Sequence, residues 1–190
     1  ATPLGLADSY DHLVVAGTVS DGRKCGALVP CYHYGPDEPD LKDIGYVEMG
    51  DDLSEKQQRK VMGEAGSQKA MNLFGRVVDW MRYLNPESKP SLLFGSGVAE
   101  SLWFAEQFCK EGIPAAHIDG ADIWIKGTWY RADWRAREAV REASKSGDVK
   151  VVCNRFVLRD GSDWPWIEHM ILAFVCGDLK TYLQIVGRGL

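Results

Sequence analysis

Ser91-Leu92-Leu93-Phe94-Gly95-Ser96-Gly97 is a short apolar run closed by two glycines that flank a serine. Four apolar or small residues in a row suit a short strand, and Gly-Ser-Gly suits the turn after it. Val98 to about Glu111 follows with Leu102, Trp103, Ala105, Phe108 and Cys109 at helical spacing, and Gly112 ends that run. The unit is therefore strand, turn, helix.

The alternation continues toward the C-terminus. Ala115-Ala116-His117-Ile118 reads as the next strand, with Asp119-Gly120 turning after it. Residues 121–131 read as a Trp-rich loop. Asp133 to Ser146 reads as a helix closed by Gly147, Val149 to Cys153 as a strand, Ile171 to Phe174 as another, and Leu179 onward as a last helix. Repeated β–α units of this length predict an α/β fold with a doubly wound, mostly parallel sheet, and sites at the carboxyl ends of its strands.

Upstream, residues 54–84 read as two helices. Ser54 with Gln57 forms a capping box, and Gly63 and Gly66 divide the run. Met71, Phe74, Val77, Val78, Met81 and Leu84 mark one buried face of the second helix. Further back, Asp8 to about Ser20 reads as a helix, Leu28 to Tyr34 as a strand, and Ile44–Met49 as a short edge strand in an acidic loop. The expected organisation is a linker plus mainly helical extension over residues 1–89, joined to an α/β core over residues 90–190.

Composition bounds the function classes. The 190 residues are 45% hydrophobic and 26% charged, as in an ordinary globular domain. No apolar run approaches a membrane span, and the N-terminus has no basic-then-apolar signal pattern, so a cytoplasmic protein is expected. Cys25, Cys31, Cys109, Cys153 and Cys176 are odd in number and scattered, which argues against a disulfide framework. Cys25, Cys31 and His33 lack the C-x-x-C pair of a zinc site, so no metal ligands are assigned. Gly17-x-x-x-x-Gly22-Arg23-Lys24 lacks the Gly-Lys-Ser/Thr ending of a phosphate loop.

Net charge is −5, which does not describe a basic nucleic-acid clamp. The distribution is uneven: Asp37 to Glu55 carries eight acids against one lysine, and Arg131 to Arg159 carries eight bases against four acids. The basic segment reads either as a phosphate-facing patch or as a solvated helix face with pairs such as Arg141 beside Glu138 and Glu142. Of the tryptophans, Trp103 and Trp134 are expected in the core. Trp124 and Trp129, in a loop, are candidates for base stacking, and Trp164 and Trp166 fit either role.

Several ordered stretches resemble the later motifs of superfamily 2 helicases. Leu92 to Gly97 looks like the fourth motif. His117-Ile118-Asp119-Gly120 resembles the strand end that follows it. Val152 to Pro165 resembles the fifth, commonly n-x-x-x-L-T-E-G-x-D-x-P, with Asn154, Leu158, Gly161, Asp163 and Pro165 on the pattern. Gln184-Ile185-Val186-Gly187-Arg188-Gly189-Leu190 resembles the sixth, Q-x-x-G-R-x-x-R, with Gln184, Gly187 and Arg188 matching and the chain stopping before the second arginine. Ala1-Thr2-Pro3 resembles the end of the third. Arg159 and Asp160 depart from the family's threonine and glutamate.

The resemblance implies a second RecA-like lobe, of the P-loop NTPase fold, expected to be a piece of a longer chain. It implies that Arg188 and Gln184 act in catalysis, and that Gly161, Asp163 and Gly187 approach the nucleotide. Ser96, Gly97, Asn154 and Arg159 would meet nucleic acid. ATP and Mg2+ would be held mainly by a first RecA-like lobe, because no Gly-Lys-Thr loop or Asp-Glu box is present here; alone, this chain should not hydrolyse ATP. The expected partners are that lobe and DNA, or RNA, and no membrane. A second reading is a Rossmann-like enzyme holding NAD or S-adenosylmethionine at Gly95, Gly97 and Asp119, although Glu100 fills the slot of the third glycine. A third is a non-catalytic nucleic-acid-binding module.

Overall fold

The computed structural model describes residues 18–35, 52–158 and 163–187. The expected strand Ile44–Met49, most of the helix from Asp8, and Ala1-Thr2-Pro3, Arg159, Gly161 and Arg188 lie outside them. The described residues fall into two compact units, one ending at Tyr34 and one beginning at Gly35.

In the first unit, α1 (Val19–Lys24) starts at Thr18, whose hydroxyl accepts the Asp21 amide while the Asp21 carboxylate accepts the Thr18 amide. Leu28 to Tyr34, expected as a strand, is irregular. Val29, Tyr32 and Tyr34 are exposed, and Pro30 has no N–H to give a neighbouring strand.

The second unit begins with α2 (Glu55–Met62) and α3 (Gln68–Leu84), capped by Ser54 and Ser67. Gly63 separates them at φ 93° and ψ 150°, a conformation open essentially to glycine alone. Then come β1 (Ser91–Gly95), α4 (Val98–Lys110), β2 (Ala115–Ile118), β3 (Asp122–Ile125), β4 (Thr128–Arg131), α5 (Trp134–Ser146), β5 (Val151–Asn154), β6 (His169–Ala173) and α6 (Leu179–Val186). The six strands form one sheet in the order β4-β3-β2-β5-β1-β6. β2, β5, β1 and β6 run parallel, while β3 and β4 are antiparallel additions at one edge.

Alternation along the parallel strands sorts side chains to the two faces. Leu93, Ala115, Val151, Cys153 and Ala173 pack with Phe74 and Val78 of α3 and Phe104, Ala105 and Phe108 of α4. Phe74 meets Phe108 edge to face at 5.1 Å. Leu92, Phe94, Ala116, Ile118 and Val152 pack on the other side with Val140 of α5 and Ile185 of α6. Helices thus cover both faces, as the doubly wound reading requires.

The 121–131 stretch is a hairpin instead of a loop. Lys126 (φ 46°) and Gly127 (φ 97°) are the two positive-φ residues of a tight turn whose twist matches its strands. Trp124, expected as a loop residue, is buried, and its register partner Trp129 is 53% exposed. Trp134, expected in the core, is 72% exposed at the first position of α5, with the Arg135 guanidinium 5.4 Å from its ring centre. Trp103 is half-buried against Phe74 and Phe104.

Candidate functional site

Because β1, β2, β5 and β6 are parallel, their following loops gather at one edge of the sheet. The segment after β1 turns into α4, on the face of Leu93 and Cys153. The segment after β5 carries Leu158 and Trp164 to the opposite face. Neighbouring strands whose connections leave to opposite faces form a crevice between them, the usual place for a ligand in an open α/β sheet. Here it lies between Gly95–Gly97 and Asn154–Arg155, since Phe94 and Asn154 are register partners.

The β1 loop is tightly built. A Cβ on Gly95 would lie 3.0 Å from the Ser101 Cβ and 3.1 Å from its backbone nitrogen, so the glycine permits α4 to turn back closely. Ser96 is buried. Gly97 is the N-cap of α4 and makes no side-chain cap, which leaves the helix start to its backbone N–H groups.

From β5, Asn154 is fully buried. Its Nδ2 donates to the Leu93 carbonyl at 3.1 Å, and its Oδ1 accepts from the Leu158 amide at 3.4 Å. The next residue, Arg155, reaches the Gly95 carbonyl at 3.5 Å. Its guanidinium lies 3.6 Å from the centre of the Phe156 ring and 5.5 Å from that of Phe174. Arg155 therefore ties the ends of three strands, β1, β5 and β6. It lies inside the stretch that resembles the fifth motif, but at a position whose residue type the pattern leaves free.

From β2, Asp119 Oδ1 accepts the amides of Ala121 at 2.6 Å and Asp122 at 2.7 Å, and Oδ2 lies 3.2 Å from His117 Nε2. Burial pushes the Asp119 carboxyl up, but those amides and His117 outweigh it and hold it below the usual range. Burial dominates at His117 and lowers its pKa against the pull of Asp119. The neutral ring then donates from Nε2 to Asp119 and accepts the Ser101 hydroxyl at Nδ1, 2.9 Å away. An open cleft of about 670 Å³ adjoins this strand end, lined by Gly120, Ala121, Asp122, Arg131 and Ala132.

The sign of the pH dependence follows. Unfolded His117 takes up a proton near pH 6.5, and folded His117 only below that, so its stability contribution is complete above about pH 6.5 and is lost as pH falls below it. Asp119 behaves alike in a lower window, beginning near pH 4. Urea midpoints at pH 5, 6, 7 and 8 should drop toward acid, and His117→Gln should reduce the drop between pH 6.5 and 5. Identical slopes in both proteins would contradict this account. His169, whose pKa burial also lowers, adds slope of the same sign.

The last helix follows β6. Asp178 is its N-cap and accepts the amides of Lys180 and Thr181. Those amides, Lys180 first, hold its carboxyl below the usual range. Thr181 and Ile185 are buried, Gln184 is half-buried, and Gly187 ends the helix exposed. Of the sequence-derived site residues, Ser96, Gly97 and Asn154 come together at the β1/β5 crevice. Gln184 and Gly187 sit on α6, and Asp163 is exposed between β5 and β6.

Elsewhere, the basic segment takes up pairs of the solvated-face kind at Arg141, which bonds Glu138 and Glu142 and lies over Trp166. Arg137 donates to the Asp119 carbonyl. Among the described residues, no group of His, Cys, Asp and Glu could hold a metal ion, and no helix is long and apolar enough to cross a membrane.

No known protein-family profile matches the chain. It is 26% identical over 189 residues to a Schizosaccharomyces pombe protein that carries the name of a mitochondrial ATP-dependent helicase, covering 98% of this chain and 28% of that one. It is also 24% identical over 181 residues to a 51.5 kDa protein of a Lactococcus phage (isolate 7-9), covering 95% of this chain and 35% of that one. The chain thus spans about a third of the length of these curated relatives. Among solved structures it aligns with the helicase domain of Hef from Pyrococcus furiosus at a TM-score of 0.44 and 14% identity, over 62% of this chain and 22% of that one.

Proposed function

We propose that this chain is the second motor lobe of an ATP-dependent superfamily 2 helicase or translocase. The observation that carries the reading is placement. The stretches resembling the fourth and fifth motifs begin on neighbouring parallel strands, β1 and β5, and border one crevice. The likeness over 189 residues to a protein named as an ATP-dependent helicase supports it.

In this reading the backbone N–H groups of the Gly95–Gly97 loop and the Arg159 guanidinium meet the nucleic-acid backbone, while Ser96, which is buried, shapes the loop from inside. Asn154 shapes the crevice from inside, since both ends of its amide are bonded within the protein. Gly161, Asp163 and Gly187 approach a nucleotide held with Mg2+ by a first lobe, and Gln184 and Arg188 complete its site. ATP closes the lobes and hydrolysis releases them, so that two grips alternate along a strand. DNA is the favoured substrate.

The dinucleotide reading has less to stand on. Both Asp119 oxygens are engaged within the protein, and the Glu100 carboxylate lies against Gly97, where a cofactor phosphate would approach.

Amide NMR of the chain decides between the two, by titration with single-stranded DNA, NAD and S-adenosylmethionine in separate experiments. Shifts with DNA at Gly95–Gly97 and over 154–163 are expected. Shifts with a small cofactor at Gly95, Gly97 and Asp119, and none with DNA, would overturn the motor-lobe reading.

A further inference from the structure

α2 and the residues before it touch the candidate site at two places. Asp52 Oδ1 accepts the amides of Gly177 at 3.1 Å and Asp178 at 3.2 Å, and Oδ2 accepts the Thr181 hydroxyl at 2.7 Å. Gln58, fully buried, donates from Nε2 to the Val175 carbonyl at 2.6 Å and accepts the Val175 amide at Oε1 at 2.9 Å. A side-chain amide thus pairs with a peptide as a neighbouring strand would. The whole β6–α6 connection, with the first turn of α6, is held from α2.

The neighbouring residue holds the other place. Arg59 Nε donates to Glu100 Oε1 at 2.9 Å, and the Ala65 amide reaches the same oxygen at 3.4 Å. The Glu100 side chain is only 4% exposed, and its Oε2, which lies against Gly97, has no partner among the described residues. A carboxylate so buried cannot lose its arginine cheaply, so Arg59 and the start of α4 move as one piece. Gln58 and Arg59 point about 100° apart on one helix, which lets α2 grip both the β6–α6 connection and the β1 loop.

We propose that α2 is a brace that sets α6 against the Gly95–Gly97 loop, with Asp52 and Gln58 as positioning residues for the helix that carries Gln184. What α6 does at the nucleotide rests on the motor-lobe reading; the brace itself does not. A strand settling on the β1 loop presses on Glu100, and through Arg59 and α2 on α6. In this way occupancy of the strand site adjusts the arm that reaches the nucleotide.

The test uses Gln58→Leu and Asp52→Ala, with Asp52→Asn as the conservative variant that keeps an acceptor for the two amides. In this chain, amide hydrogen exchange over residues 175–185 should quicken about tenfold in the first two and return toward the parent in Asp52→Asn, while β5 is unchanged. Unchanged exchange over 175–185, or an equal rise in β5, overturns the brace. In the protein that carries this chain with an ATP-holding lobe, the same two variants should lower the strand-stimulated kcat about fivefold or more, with the KM for ATP and the strand affinity kept. Faster exchange with unchanged kcat leaves the brace standing and overturns the role given to α6.

Discussion

Arg188→Ala is expected to lower strand-stimulated ATP turnover by about 10³-fold or more while ATP still binds. The protein to use is one that carries this chain together with an ATP-holding lobe. In the loose transition state of phosphoryl transfer, charge spreads over the three γ-phosphate oxygens. The ground-state nucleotide is held mainly by the other lobe in this proposal. A guanidinium that meets those oxygens as the lobes close therefore acts on the transition state far more than on binding. That is why the loss should fall on kcat and leave the dissociation constant of ATP within a few-fold. Arg188→Lys should recover little, because an ammonium is a point charge without the planar fork that can bond two oxygens at once. The measurement is steady-state turnover with and without single-stranded DNA, beside nucleotide affinity by fluorescence. Unchanged turnover in Arg188→Ala would remove the arginine from the mechanism. Gln184→Ala should have a smaller effect of the same kind, since it removes a neutral partner.

The parallel part of the sheet was legible because its signals are local. Ser91 to Phe94 is apolar or small without interruption, as a short strand of such a sheet requires, and Ala105 and Phe108 follow at helical spacing, although the stripe read from the sequence omits the deeply buried Phe104 beside them. The capping box at Ser54 and Gln57 and the end of α5 at Gly147 are also settled by residues within one turn of each other. The hairpin was harder to read. Its two tryptophans in register carried the look of a surface loop, and the Lys126-Gly127 turn has none of the Asn-Gly or Asp-Gly spelling that marks such turns. Trp134 misled in the opposite direction, because nothing in a helical pattern says which face a first-turn residue will present.

The site divides in the same way. The strand-end loops at Gly95 and Asn154 could be found from the order of strand and turn. The joints made by Arg155 and by Gln58 could not. Gln58 meets Val175 across 117 residues of sequence, and its partner groups are peptide N–H and C=O, which nearly every residue carries. No residue pattern announces a side chain that pairs with backbone. It shows only in the structure, as a helical glutamine found completely buried.

Asn154→Ala should destabilise the fold by about 3 kcal/mol, measured as a fall in the urea midpoint at constant slope. The side chain is inaccessible to water and joins the Leu93 carbonyl of β1 to the Leu158 amide beyond β5. Alanine leaves two peptide groups facing a small cavity, each without the partner it had, and the cavity adds to the cost. A residue that only touched nucleic acid from the surface would change stability by about 0.5 kcal/mol or less. A shift that small would place the role of Asn154 outside the fold. Asn154→Asp separates the two halves of the bond pair. Its carboxylate can still accept from Leu158, but it has no N–H for Leu93 and brings a charge into a site closed to water. It should cost at least as much as alanine at pH 7. Burial raises the pKa of that carboxyl, and the protonated form can donate to Leu93 again. The folded state of Asn154→Asp then binds a proton that the unfolded state has already lost, so the penalty is complete at high pH and shrinks as pH falls through the raised folded pKa. If the cost of Asn154→Asp stays constant from pH 7 to pH 5, relative to that of Asn154→Ala, the side chain at this position does not bridge β1 and the turn after β5.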